Sequence, residues 1–289
     1  MKTGFLQAVI VAAFVLFASI ATSQTLDDLL RRAEQGNVDD QILLGHMYSN
    51  GKGVPENDAE AVYWYKLAAE QSNVDAQIIL GNMYSNGKGV PENDVEAVYW
   101  YKLAAEQGHV NSQAILGNMY FKGEDVPENN AEAVRWYQLA AEQGHVHAQF
   151  ILGYMYSSGK GVPENDAEAV RWYQLAAEQG YVSAQSTLGY MYSRGKGVPE
   201  NDAEAVYWYK LAAEQGDVDA QIALGYMYSN GEGVPENDAE AYIWFSLAVA
   251  NGADDAASAR DEIDSLLSPV ERAAAQQEVA QRLESMRSP

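Results

Sequence analysis

The chain contains no cysteine. Disulfides, thiolate nucleophiles and cysteine-based metal sites are excluded, so packing and hydrogen bonds alone must hold the fold. Basic residues are also scarce: 18 Lys and Arg stand against 41 Asp and Glu, a formal charge of −23. That balance repels phosphate backbones and anionic lipid, which argues against nucleic-acid partners and favours a partner carrying a basic patch. Much of the acid serves helix starts and solubility. Beyond the first residues, no apolar run is long enough to cross a bilayer.

The N-terminus is the exception. Lys2 precedes a mostly apolar stretch from Phe5 to Ala21, and Ala21 and Ser23 supply the small residues before a cut ahead of Gln24. These are the three parts of a secretory signal peptide, assigned to residues 1–23. The rival reading is an uncleaved anchor, since about 17 apolar residues is the lower limit for a span. Cleavage leaves 17 basic and 41 acidic residues, a charge of −24, on a periplasmic or secreted protein with no stable membrane insertion. No cysteine follows the apolar run to carry a lipid.

What is abundant is repetition. Trp64, Trp100, Trp136, Trp172, Trp208 and Trp244 recur every 36 residues, and Val-Pro-Glu-Asn recurs in step with them. A fixed period of this size marks a stacked-repeat architecture. The six copies occupy 37–72, 73–108, 109–144, 145–180, 181–216 and 217–252.

In the second copy, Ala76, Ile79, Leu80, Met83 and Tyr84 form the apolar stripe of a helix A over Val74–Tyr84. Gly81 lies inside that helix, which predicts that a neighbouring helix needs the space of a missing side chain. Ser85-Asn86-Gly87-Lys88-Gly89 ends the helix, its glycines suited to positive φ. Asn93 and Glu96 have the spacing of a reciprocal capping box at the start of helix B. Ala97, Trp100, Tyr101, Ala104 and Ala105 are the apolar stripe of that helix, and Gly108 is its stop. Neither helix of the pair buries both faces alone, so neighbouring pairs must stack.

The ends are atypical. Residues 24–36 finish in Ala33-Glu34-Gln35-Gly36, like the end of a helix B, and read as a lone N-terminal capping helix. Residues 253–289 read as C-terminal capping helices: one over Asp255–Leu267, then one opened by Ser268-Pro269-Val270-Glu271.

The motif carried by Ala76, Gln77, Leu80, Gly81, Met83, Tyr84, Gly87, Gly89, Pro91, Ala97, Trp100, Tyr101, Ala104 and Ala105 resembles the Sel-one-like repeat. That family is a branch of the tetratricopeptide-like α-solenoids. The resemblance implies an all-α, right-handed solenoid of antiparallel helix pairs. It also implies an adaptor or scaffold, not an enzyme, with exported bacterial members acting in envelope assembly, signalling or host contact. Three places depart from the pattern. Asp125 stands where the other copies have the second loop glycine, Asp40 replaces a small helix A residue beside the N-terminal cap, and Tyr242-Ile243-Trp244-Phe245 loosens the last copy. The family's cysteine-rich exported branch pins its helix pairs with disulfides, which this chain cannot form.

Differences between the copies indicate where a ligand would sit. Helix A varies at its third, sixth, tenth and thirteenth repeat positions, which share one helical face. By resemblance to tetratricopeptide arrays, that face lines the concave groove. The candidate partner-binding residues are Asp75, Asn82, Asn118, Phe121, His147, Phe150, Tyr154, Tyr190 and Tyr226. The Tyr154, Tyr190 and Tyr226 ladder offers contact area with hydrogen-bonding tips, suited to a peptide or protein partner. The competing reading is that these rings fill gaps between helices. Helix B varies at Tyr63, Tyr99, Arg135, Arg171, Tyr207 and Ile243, which suit the outer face or the seams between repeats.

Signals for catalysis and metal are weak. Ser49-Asn50-Gly51-Lys52 matches the S-x-x-K of serine β-lactamases, as do Ser85, Ser157 and Ser193 with their lysines. That chemistry needs both groups on one turn of a buried helix, whereas these pairs straddle glycine loops. The Glu56–Glu60 acids lack the order of a calcium loop, and His145 and His147 have no further ligand in register. No cofactor is implied. An envelope-polysaccharide or peptidoglycan binder is the alternative function, with a β-lactamase-like hydrolase a remote one.

Overall fold

The structure, a computed structural model, describes residues 25–123 and 126–287, all helices and connecting turns with no strand among them. The signal-peptide assignment and Asp125 lie outside the described residues. None of the described helices is long and apolar enough to cross a membrane. The fold is an all-α solenoid of helix pairs, and its contacts divide it into two units, Met1–Glu128 and Asn129–Pro289.

The first unit holds α1 (25–34), α2 (Val38–Asn50), α3 (Asp58–Glu70), α4 (Val74–Asn86), α5 (Asp94–Glu106) and α6 (Val110–Lys122). α2 pairs with α3 and α4 with α5, and each B helix also packs on the A helix that follows it. The stripe residues meet in a core of Ala61, Tyr65, Ala68, Ala76, Leu80 and Met83, into which Trp100 of the next B helix inserts. α1 takes the place of a preceding B helix: its Leu29 and Ala33 pack with Leu44 and Trp64.

Asp40 makes a specific bond there. Arg32 of α1 donates to both of its carboxylate oxygens, at 2.6 and 3.2 Å, and this holds the Asp40 carboxyl below its usual range. The departure from a small residue thus has a partner on α1 that sequence comparison between copies did not reveal.

The second unit holds α7 (Asn130–Glu142), α8 (Val146–Ser158), α9 (Asp166–Glu178), α10 (Val182–Ser193), α11 (Asp202–Ala213), α12 (Val218–Asn230), α13 (Asp238–Ala250), α14 (Ala256–Asp264) and α15 (Pro269–Arg287). Its pairs repeat the same packing, with Trp208 inserted among Ala169, Tyr173, Ala184 and Leu188. α14 and α15 then cover α13, joining Ile263, Leu267 and Ala275 to the core around Trp244 and Phe245. Arg282 of α15 reaches back to Glu240, at 3.0 Å for the closer bond, and lies 4.9 Å over the Trp244 ring.

The helical glycine has the role that its recurrence suggests. A Cβ on Gly81 would lie 2.6 Å from the Tyr101 ring, and one on Gly153 would lie 2.8 Å from Tyr173. The helices α2, α4, α8, α10 and α12 therefore each receive an aromatic ring of the partner B helix at that point. The loop glycine is needed for a different reason: Gly89 has φ 73°, and a side chain there would collide with the backbone carbonyl of Asp58 in the preceding repeat. Ser72 has to adopt φ 65° where the other copies have glycine.

Three boundaries differ from expectation. Helix A continues to Asn86, two residues past Tyr84, because Asn86 Nδ2 donates to Asn82 O at 2.7 Å before Gly87 turns left-handed. α14 stops at Asp264 instead of Leu267, where the backbone tightens to three-residue turns, Leu266 N donating to Ile263 O at 3.0 Å and Leu267 N to Asp264 O at 3.3 Å, and Arg272 of α15 binds the Asp264 carboxylate there. Helix B has only half a capping box. Asn93 Oδ1 accepts from Glu96 N at 3.2 Å, but the Asn93 N–H is already bonded to Tyr84 O at 2.9 Å. Glu96 has no N–H left to accept from. The reciprocal box does form at α15, between Ser268 and Glu271.

A buried glutamine near the start of α2, α4, α8, α10 and α12 joins three helices. Gln185 Nε2 donates to Ala177 O of the preceding B helix at 3.1 Å, and Gln185 Oε1 accepts from Gln215 Nε2 of its own B helix at 2.8 Å. Gln41, Gln77, Gln149 and Gln221 repeat the pattern, the last with Asn251 in place of a glutamine. Replacing Gln185 with Leu removes both bonds of a buried amide, while Ala177 O keeps its bond from Gly180 N and Gln215 its bond to Leu211 O, and should cost about 1–2 kcal/mol in urea unfolding; an unchanged midpoint would contradict the role. Ser72→Gly should instead stabilise by about 1 kcal/mol, by removing left-handed strain from a residue with a Cβ. A lower midpoint for that variant would show that Ser72 is not strained.

Candidate interaction surface

The variable positions of the A helices lie on an accessible face, graded in depth. In the first unit Asp75 and Asn82 are exposed, while Asn118 and Phe121 are half-buried. In the second unit His147 is exposed, Phe150 is half-buried, and Tyr154, Tyr190 and Tyr226 are 38%, 52% and 51% exposed. Tenth-position side chains therefore project outward, whereas sixth-position ones lean into the seam with the next helix.

The tenth position also serves the B-helix tyrosine. In the first unit, Tyr101 OH donates to Asn82 Oδ1 at 2.8 Å, and Tyr65 OH lies 2.9 Å from His46 Nδ1. Burial pushes the Tyr65 phenol up to about 12, so it stays a donor at neutral pH. In the second unit the polar acceptor is replaced by tyrosine. Ser157 then lies 3.5 Å from Tyr173 OH. Where the B helix has Phe245 instead, no hydroxyl needs a partner, and the Tyr226 ring stands edge-on to it at 5.0 Å. Substituting tyrosine at the tenth position leaves its own ring about half exposed at Tyr190 and Tyr226 and somewhat less at Tyr154.

His147 and Phe150 belong to a tighter cluster. Phe150 lies 5.0 Å from the Tyr181 ring and 5.5 Å from that of Tyr173, and Tyr181 OH is 3.3 Å from His147 Nδ1. Phe150 therefore packs mainly between helices. Tyr181 occupies the N-cap of α10 without making a side-chain cap bond. Its substitution for Asn, His or Asp at the first repeat position was the sequence signal for this cluster, and copy comparison restricted to the helical face missed it.

Clefts open between successive A helices. One in the first unit, of about 350 Å³, is lined by Ser49, Ile79, Asn82, Met83, Asn86 and Lys88. Its counterpart in the second unit, of about 290 Å³, includes Tyr190, Ser193, Tyr209, Ala223 and Tyr226. Loop lysines reach toward the preceding repeat here: Lys88 Nζ is 3.1 Å from Asp58 Oδ1 and 3.2 Å from Ser49 Oγ, and Lys196 Nζ is 3.2 Å from Asp166 Oδ1. The buried Asp58 and Asp166 oxygens receive no directional hydrogen bond, so these are charge contacts.

The same contacts dispose of the S-x-x-K geometry as one turn of a helix. Lys88 engages Ser49 of the preceding copy, and the Ser193 hydroxyl donates to Tyr190 O. Among the described residues, no three His, Asp or Glu side chains converge as metal ligands.

On the B helices, Tyr63, Tyr99 and Tyr207 are about half exposed and stand edge-on to Trp64, Trp100 and Trp208 at 4.9–5.0 Å. Arg135 and Arg171 lie over Trp136 and Trp172 instead. This outer face thus shields the tryptophans.

A family model described as the Sel1 repeat matches residues 38–73, 74–109, 110–145, 146–181, 182–217 and 218–252. The chain belongs to the Sel1 repeat family. Proteins of this family are in general protein-interaction scaffolds. The Sel1 chain is similar to the solved structure of c5321, a protective antigen present in uropathogenic Escherichia coli strains and displaying an SLR fold, with 33% identity and a TM-score of 0.60. The match covers 90% of this chain but 65% of that one. A Sel1 repeat protein from Oxalobacter formigenes is 32% identical at a TM-score of 0.57, with 83% of this chain and 81% of the other covered. No curated protein sequence gives a significant match.

The A-helix N-caps supply a pH-dependent element. Asn73 and Asp217 cap through oxygen, but His145 caps through Nδ1, which accepts from Ala148 N at 3.1 Å. That bond needs a neutral imidazole. Burial, then the neighbouring His147, lowers the His145 pKa below 6.5. The unfolded chain takes up a proton that the folded one refuses, so stability is full above that value and falls as pH drops through it. Melting temperature should therefore decline from pH 7.5 to pH 5, and decline less in His145→Asn, whose amide oxygen caps at every pH. Equal declines in the two proteins would refute this.

Proposed function

We propose that this Sel1 repeat protein is an exported interaction scaffold that binds a segment of another protein on the A-helix face of its second unit. The observation that carries the reading is the exposure of Tyr154, Tyr190 and Tyr226, at one repeat position on successive A helices. Large half-exposed rings at regular spacing supply the kind of anchors that dominate protein interfaces, and their hydroxyls add direction. The core does not require them, since the same position is His46 and Asn82 in the first unit without loss of the helix pair. Asp75, Asn82, Asn118 and Phe121 form the corresponding face of the first unit, which is more polar. Export rests on the N-terminal segment and its three-part pattern.

The test is a crosslinking pull-down from envelope extract with the full chain and with the Tyr154→Ala, Tyr190→Ala, Tyr226→Ala triple variant. The variant should keep its helical circular dichroism and lose partner capture by at least about tenfold. Undiminished capture would overturn the assignment of this face. Retention of purified peptidoglycan, in place of any protein, would overturn the protein-partner reading in favour of a glycan binder.

A further inference from the structure

We propose that the cleft between α10 and α12 receives the ammonium group of a lysine side chain from the partner protein. This rests on the A-face reading above and names the chemistry of one contact within it. Equivalent clefts of the same chain differ in what fills them. At the sixteenth repeat position the chain has its own lysine in four copies, Lys52, Lys88, Lys160 and Lys196. Lys88 and Lys196 place their ammonium groups on Asp58 and Asp166, the aspartates that open the preceding B helices, at 3.1 and 3.2 Å. Lys160 instead lies 5.2 Å over the ring of Tyr154, the tenth-position tyrosine of its own copy. The position is thus built twice around a carboxylate and once around a tyrosine face, and in each case the guest is an ammonium ion.

The last copy keeps the host and changes the guest. Asp202 is the equivalent aspartate and Tyr226 the equivalent tyrosine, but the sixteenth position is Glu232. Asp202, Glu232, Tyr190, Tyr226 and Tyr209 line an open cleft of about 290 Å³. Arg194 also stands at its rim, yet among the described residues neither Arg194 nor any other cation pairs with Asp202 or Glu232. Glu232 accepts from Asn230 Nδ2 at 3.1 Å. Two carboxylates beside two half-exposed tyrosine rings attract a cation both by charge and through the ring faces. The strongly acidic chain draws basic partners toward it at long range.

The probe is Ac-Gly-Gly-Lys-Gly-Gly-NH2, titrated into the full chain with the tyrosine ring resonances as readout and a glutamine-for-lysine peptide as control. The lysine peptide should shift the Tyr190 and Tyr226 signals, and the glutamine peptide should not. Glu232→Lys restores the residue of the sister copies and should weaken binding about tenfold or more while leaving the melting temperature unchanged or raised. Glu262→Lys, an equal change of charge on α14, should leave binding within about twofold, which separates the cleft from general attraction. Absence of lysine binding, equal binding of the glutamine peptide, or equal weakening by both variants would each overturn the proposal. In the pull-down, loss of capture by the triple tyrosine variant but not by Glu232→Lys would leave the A-face reading standing and sink the lysine contact. Failure of the tyrosine variant to reduce capture would sink the A-face reading itself.

Discussion

The stacking of this protein depends on a buried amide. The glutamine near the start of each A helix is almost wholly removed from water, at 3% exposure for Gln41, Gln113, Gln149 and Gln185. A polar side chain in that setting is tolerable only if its donor and acceptor are both used. Gln77 meets the condition by donating to Ala69 O, a carbonyl at the end of the preceding B helix that also accepts from Ser72 N, and accepting from Gln107 at the end of its own. The bond thus ends one helix, starts another and ties down a third. Apolar contacts alone would let the helix pairs slide; this directional bond sets their register.

Around that register, small residues and rings fit in complementary places. Gly45, Gly81, Gly153, Gly189 and Gly225 each leave room for an aromatic ring of the paired B helix. Burial keeps the Tyr137, Tyr173 and Tyr209 phenols protonated, and Trp100 and Trp208 enter the core of the repeat before them. The cost is visible at Trp64, Trp100, Trp172, Trp208 and Trp244, whose buried indole N–H groups have no acceptor. Recurrence of that unmet bond shows that ring burial outweighs it, since an indole ring removes far more apolar surface from water than one N–H forfeits.

The outward-facing positions were legible because internal copies act as controls on one another. Tyr154, Tyr190 and Tyr226 vary against His46 and Asn82, and the structure leaves them in water. The same comparison could not separate Phe150 from them. Its variation answers Tyr173 and Tyr181, rings carried by other helices, and that contact is set by packing and not by helical phase. Nor could it find Arg32, whose bond to Asp40 crosses from the terminal helix into the first copy.

By itself the sequence determined the helix pairs, their order and the residues that close them, because the 3.6-residue periodicity, the caps and the glycine stops are local properties repeated at a fixed interval. It also carried the need for space at Gly81, as a glycine in a helix has a cost that only packing can offset. Tertiary structure alone decided how polar groups were shared. The Asn93 N–H went to Tyr84 O and left Glu96 with half a capping box, and Arg272 of α15 took the Asp264 carboxylate at the end of α14. Each hydrogen-bonding group chooses among all neighbours the fold brings within about 3 Å, and sequence spacing reports only those within its own helix.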